Sequence, residues 1–256
     1  MYNQQVNNIN LSVVIPSYNE MPNLRKGVLE KIEDYLSSQS YQYEVLIVDD
    51  GSDDGSREFS EKYAKTHKKF RVIKGKHVGK AGAVTAGMLE AKGRIRLFTD
   101  MDQATPIEEV EKFLPHFAEG IDVVIGSRKE RVGSPLSRRA MSAGYITLRK
   151  IAVGINEIND TQCGFKMFSA KSAEKIFKKI KELHGGFGKI SGSNVTAGFD
   201  IEILLLAEKM GYKIKEVPVE WLYVESRRVS PIKDSINGLF DLLHIASNKY
   251  KGKYKV

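Results

Sequence analysis

The stretch that decides the fold is Glu44-Val45-Leu46-Ile47-Val48-Asp49-Asp50-Gly51-Ser52-Asp53-Asp54-Gly55-Ser56, an apolar run that stops at two adjacent acids and passes into a cluster of turn formers. A strand covered on both faces reads as such a run, and Asp, Gly and Ser end it with a turn. Asp54 or Ser56 is the expected N-cap of the helix that follows. Adjacent acids at a strand end also suit hydrogen bonds from a base or ribose, so Asp49 and Asp50 are candidate ligand residues.

Outward from this unit the pattern repeats. Apolar runs at 11–16, 44–49, 70–74, 94–99 and 121–126 alternate with helical spacing over 23–38, 56–67, 79–92 and 107–119. Strand and helix in alternation predict an α/β fold, a mainly parallel central sheet flanked by helices on both faces, with the chemistry beyond the carboxyl ends of the strands. After residue 127 the pattern is less regular: helices over 138–153, 170–181 and 200–210, a strand over 214–222 and a helix over 234–248. No linker or repeat divides the chain. The expectation is one domain over 1–256, with a nucleotide-binding half at 11–126, an acceptor-side half at 127–248 and a basic tail at 249–256.

Composition narrows the class. The 256 residues are 41% hydrophobic and 9% aromatic, which fits a folded domain and excludes a disordered or collagen-like chain. One cysteine, Cys163, excludes an intrachain disulfide and is read as a small buried hydrophobe. The polar amino-terminal decapeptide lacks a signal-peptide pattern, and no apolar run is long enough to span a bilayer. Membrane contact is therefore expected to be peripheral, at the cytoplasmic face. Of the net charge of +8, four units lie on Lys249, Lys251, Lys253 and Lys255. The default for this tail is a frayed, solvated end; the functional alternative is attraction to anionic lipid, ahead of nucleic acid.

Two common nucleotide motifs are missing. The first strand ends in Pro16-Ser17-Tyr18-Asn19-Glu20 without the glycine-rich turn of a dinucleotide fold, and Gly79-Lys80 has Ala81 where a P-loop needs Ser or Thr. The fourth strand ends in Thr99-Asp100-Met101-Asp102. Its two carboxylates share a face if the strand continues, and suit Mg²⁺ or Mn²⁺ carried with a substrate diphosphate. The five histidines are scattered and are assigned no catalysis. Trp221 is read as core. Ile236, Leu239, Phe240, Leu243 and Ala246 form one helix face, whose default is core packing and whose alternative is interfacial docking.

Taken together, Pro16 to Glu20, Asp49-Asp50-Gly51-Ser52, Gly79-Lys80 with Gly82 and Gly87, and Asp100-Met101-Asp102 resemble glycosyltransferase family 2, enzymes of the GT-A fold that use nucleotide sugars. Gly126-Ser127-Arg128, Arg138 with Ser142, the 160–166 motif, Phe199-Asp200-Ile201-Glu202, the 216–219 motif and Val229-Ser230-Pro231 are similar to its dolichyl-phosphate glucosyl- and mannosyltransferase branch. Ala104 stands where the mannosyl pattern has a metal-holding glutamine, with Gln103 one place earlier, which leans away from mannose.

The resemblance implies an inverting, metal-dependent hexosyltransferase moving glucose or GlcNAc from a UDP-sugar to a polyprenyl or dolichyl phosphate. It implies a nucleotide pocket of Pro16, Tyr18, Glu20, Asp49, Asp50, Lys80 and Asp100, and Asp102, with Asp100, at the Mg²⁺ or Mn²⁺ ion. Arg128, Arg138, Ser142, Arg227 and Ser230 would grip acceptor phosphate. Asp160, Asp200 and Glu202 would meet sugar hydroxyls, or act as base if the acceptor is an alcohol; a helix N-cap is the alternative for Asp200. The rivals are transfer to a polysaccharide or protein hydroxyl, a GDP-mannose enzyme, and a peripheral nucleotide- or lipid-binding protein without catalysis. Sugar, lipid length and oligomeric state are not encoded in these motifs.

Overall fold

A computed structural model describes residues 9–128, 136–188, 197–222 and 231–255, except the side chains of 136–143, 145, 197 and 231–236. The first half alternates as expected: β1 (Leu11–Ser17), α1 (Met21–Leu24), α2 (Val28–Ser37), β2 (Tyr43–Asp49), α3 (Ser56–Thr66), β3 (Phe70–Lys74), α4 (Gly79–Glu90), β4 (Ile95–Phe98), α5 (Val110–Ala118) and β5 (Val123–Arg128). Then follow α6 (Leu136–Val153), β6 (Lys166–Ser169), α7 (Ala170–Leu183), α8 (Ala197–Lys209), β7 (Ile214–Val219) and α9 (Pro231–Tyr250).

One seven-stranded sheet, in the order β3-β2-β1-β4-β6-β5-β7, runs through both halves of the chain. Its pairs are parallel except that β6 runs antiparallel between β4 and β5. Strand alternation divides the core into two layers. Val14, Leu46 and Val48 face the helices α4, α7 and α8, whereas Val13, Ile15, Val45 and Ile47 face α2 and α5. Both faces are thus covered, which is why these strands read as continuous apolar runs.

Several expectations are corrected. The helix foreseen over 23–38 is two helices, because Gly27 sits at φ +74°, where a right-handed helix cannot continue. Strand β6 was not foreseen. The last strand ends at Val219 instead of 222, leaving Trp221 half-buried beyond it rather than in the core. Leu222 N donates to Ala104 O at 2.7 Å, so this segment runs beside the turn that carries Asp102.

The tail is docked rather than frayed. Lys249 Nζ donates to Val153 O at 2.6 Å, and the buried Tyr254 donates its hydroxyl to Glu202 Oε1. Helix α9 also departs from its default. Leu242, Ile245 and Asn248 face the core, while Leu239, Phe240 and Leu243 face outward and Ala246 is half-buried; the Ile236 side chain lies outside the described residues. Cys163 is buried in the core as expected. Among the described residues no helix is long and apolar enough to cross a membrane.

Candidate active site

Parallel strands β1, β2, β4 and β5 deliver Tyr18, Asp49, Asp100 and Arg128 to the same edge of the sheet, because each stands at or just past the carboxyl end of its strand. The acids of the deciding stretch are engaged in shaping the loops there. Asp49 Oδ2 accepts from Arg57 Nε at 2.6 Å and from the amides of Gly51 and Ser52, while Oδ1 is buried with no hydrogen-bond partner among the described residues. Asp50 accepts from Val78 N at 2.7 Å and Gly79 N at 2.8 Å. It is therefore the resident anion at the amino terminus of α4. The N-cap of α3 is Gly55, at φ +90° and with no side-chain cap bond, which corrects the expectation of Asp54 or Ser56; Asp54 Oδ1 instead accepts from Ser56 N at 3.0 Å within the turn before it.

His77 belongs to this wall although its sequence context gave no sign of it. It sits at φ +59° and stacks on Tyr18, with ring centroids 4.2 Å apart and planes 21° apart. The pair forms a flat aromatic wall beside Asp50. Pro16 lies in β1, and Glu20, at the start of α1, accepts from Asn23 Nδ2 at 2.6 Å.

Beyond β4 the chain turns instead of continuing as a strand. Gln103, at φ +50°, closes that turn by donating from Nε2 to Asp100 O at 2.9 Å, and Asp102 Oδ1 accepts from Ala104 N at 3.0 Å. Lys80, in the first turn of α4, places Nζ 2.5 Å from Asp100 Oδ1. Burial opposes its charge, yet Asp100, Asp200 and Asp102 outweigh that and hold the ammonium above its ordinary range. Gly164 completes the cradle. A Cβ there would overlap the Asp100 carboxylate, so only glycine lets the 160–166 motif approach this closely.

Two carboxylates two residues apart, a cation already attracted to them and a side-chain-free wall fit a divalent ion shared with a diphosphate. Among the described residues no group of three or more His, Cys, Asp or Glu forms a self-sufficient metal cage. An ion held here would take its remaining ligands from water and substrate.

Arg128 and Asp160 form a bidentate pair, Nε to Oδ2 at 2.6 Å and Nη2 to Oδ1 at 2.8 Å. Burial pushes the Asp160 carboxyl up, but the hydrogen bonds and charge of Arg128 prevail and hold it below the usual carboxylate range. The pair is positioned from β7, where Glu216 accepts from Asp160 N at 2.7 Å and Asn159 N at 3.0 Å. Asp200 lies inside α8 and is not its N-cap, which corrects that alternative. Its Oδ1 is 2.5 Å from Nζ of Lys166, a side chain with 0% exposure that also donates to Cys163 O. Glu202 is held by Tyr254 and by His184 Nε2 at 2.6 Å. Arg227 and Ser230 lie outside the described residues; Arg138 and Ser142 stand on α6, but their side chains do too.

A mainly parallel sheet with carboxylates at its carboxyl edge is the architecture of the GT-A glycosyltransferases, and the solved structures agree on that fold. Mannosyl-3-phosphoglycerate synthase from Rubrobacter xylanophilus superposes with a TM-score of 0.61 at 14% identity, over 96% of this chain and 75% of that one. Glucosyl-3-phosphoglycerate synthase of M. tuberculosis gives 0.54 at 20% identity, over 93% and 81%. The chain belongs to glycosyl transferase family 2, whose model matches residues 12–177. Its relatives include the dolichyl-phosphate beta-glucosyltransferase of Saccharomyces cerevisiae, 33% identical over 96% of this chain and 76% of that protein, and that of Dictyostelium discoideum, 31% identical over 98% and 78%.

Proposed function

We propose that this glycosyltransferase moves glucose, or a closely related sugar, from a UDP-sugar to a polyprenyl phosphate such as dolichyl phosphate, with inversion and with Mg²⁺ or Mn²⁺. The observation that carries the choice of acceptor is the state of the three carboxylates weighed as bases. Asp160 is clamped by Arg128, Asp200 by the buried Lys166, and Glu202 by Tyr254 and His184. A hydroxyl acceptor needs a base to take its proton. A phosphate monoester, with a second pKa of about 6, is already largely dianionic at neutral pH and needs none. The names of the relatives point to the same acceptor.

Tyr18 and His77 offer a flat face to the base, and Asp50 fixes the loop that carries His77. Lys80 exchanges Asp100 for the diphosphate, while Asp100 and Asp102 would hold the ion. The ion, when bound, neutralises charge that develops on the leaving diphosphate. Arg128 keeps a fixed guanidinium at the sheet edge toward an incoming anion, its direction set by Asp160 and, through the 159–160 backbone, by Glu216. A phosphate oxygen then attacks the anomeric carbon opposite the departing UDP, and an α-linked donor gives the β-linked product that the relatives' names specify.

A matched acceptor pair tests the reading. Polyprenyl phosphate should accept sugar with a rate that rises as its second ionisation completes near pH 6 and then levels off, and the corresponding polyprenol should accept none. Equal transfer to the polyprenol would overturn it.

A further inference from the structure

We propose that the outward faces of α6 and α9 form a docking surface for an anionic bilayer. Leu148 and Ile151 on α6, and Leu239, Phe240, Leu243 and Tyr250 on α9, are exposed; Ile151 is 78%, Phe240 65% and Tyr250 94% accessible. Their spacing of three, four and seven residues is that of a helix face, and the two helices pack on each other. Lys249 Nζ on Val153 O joins their carboxyl ends. A soluble domain rarely exposes an apolar patch of this kind without using it.

The surrounding charge selects the occupant. Helix α6 contains no acid, and Lys251, Lys253 and Lys255 follow Tyr250 with no acid from residue 248 onward. The buried Tyr254 pins this turn to α8 through Glu202, which fixes the lysines at the end of the apolar face. Apolar side chains flanked by exposed ammonium groups match the boundary between acyl chains and anionic headgroups. A two-fold contact with a second copy would bring like charges together around the same patch.

The site supplies a reason for such a surface. Helix α6 is the next described element after β5, whose end carries Arg128, and a lipid-linked acceptor must present its headgroup at that edge while its chain stays in the membrane. The proposal rests on the lipid-phosphate acceptor proposed above, and the two are tested separately.

Flotation of the full chain with phosphatidylcholine vesicles, with and without phosphatidylglycerol, reads docking. Transfer to a detergent-dispersed short-chain polyprenyl phosphate reads catalysis without a bilayer. Wild type should float with the anionic vesicles; Phe240→Ser with Ile151→Ser should lower the partition coefficient by about tenfold or more. Lys251→Glu with Lys253→Glu should lower it on anionic vesicles alone, and both variants should keep short-chain transfer. Loss of flotation in the variants, with a wild type that floats but transfers no sugar to the short-chain acceptor, would leave docking in place and remove the acceptor reading. Variants that float like wild type, or a wild type that does not float, would overturn the docking surface. So would a concentration-dependent dimer, dissolved by Phe240→Ser with Ile151→Ser, in a protein that ignores vesicles.

Discussion

Replacing Lys166 by Met removes a fully buried ammonium and leaves the Asp200 carboxylate, itself buried, without the cation 2.5 Å away. Cys163 O loses a donor at 2.6 Å in the same step. Methionine fills a similar volume, so the cost is electrostatic rather than a cavity. Lys80 also feels Asp200 but is held 2.5 Å from Asp100, which limits its ability to compensate. Breaking one side of a buried pair costs about 3–5 kcal/mol. For a chain of this size, at about 2–4 °C per kcal/mol, that is a fall in Tm of about 6–20 °C. Urea unfolding of wild type, Lys166→Met, Asp200→Asn and the double variant closes a thermodynamic cycle. The double variant should cost less than the sum of the singles by about 2–3 kcal/mol, since neither charge is then stranded. Additivity to within about 0.5 kcal/mol would refute the pairing.

Other outcomes follow from the same contacts. Arg128→Lys keeps the charge but loses the two-pronged grip on Asp160, so kcat/KM for lipid phosphate should fall by about 100-fold with UDP affinity in calorimetry unchanged. Gly164→Ala drives a methyl into the Asp100 carboxylate and should weaken Mn²⁺ binding in the presence of UDP, read by electron paramagnetic resonance. The hydrogen bond to Glu202 raises the His184 pKa above its ordinary 6.5; burial opposes this and the Glu202 charge reinforces it. A raised histidine pKa stabilises the fold fully below 6.5 and ceases to as pH climbs through the folded value. Wild-type Tm should therefore fall across that window, and His184→Gln should flatten this part of the profile.

Much of this architecture was legible because β1, β2 and β5 are buried on both faces and must be apolar throughout. The acids at their ends stood out for the same reason. Strand β6 escaped notice because it is four residues long and lies in an irregular stretch, although Lys166 between Phe165 and Met167 was a signal: a charge inside an apolar run needs a buried partner, and Asp200 is that partner. His77 owes its place to a positive φ and a stack on Tyr18, neither of which residue spacing reports. The docked tail depends on a contact 52 residues apart, Tyr254 on Glu202, beyond any local pattern. Asp49 and Asp50 were singled out as candidate ligand residues, and much of their hydrogen bonding serves the loops around the pocket.

Sugar transfer from labelled UDP-glucose, UDP-GlcNAc and GDP-mannose into organic-extractable polyprenyl phosphate, with Mg²⁺ or Mn²⁺ and with Asp102→Ala as control, measures the reaction itself. The expected result is a metal-dependent lipid product from UDP-glucose, or from UDP-GlcNAc as the related sugar, that is lost in Asp102→Ala. Transfer from GDP-mannose alone, or a lipid product that forms equally in chelator and in the variant, would contradict it.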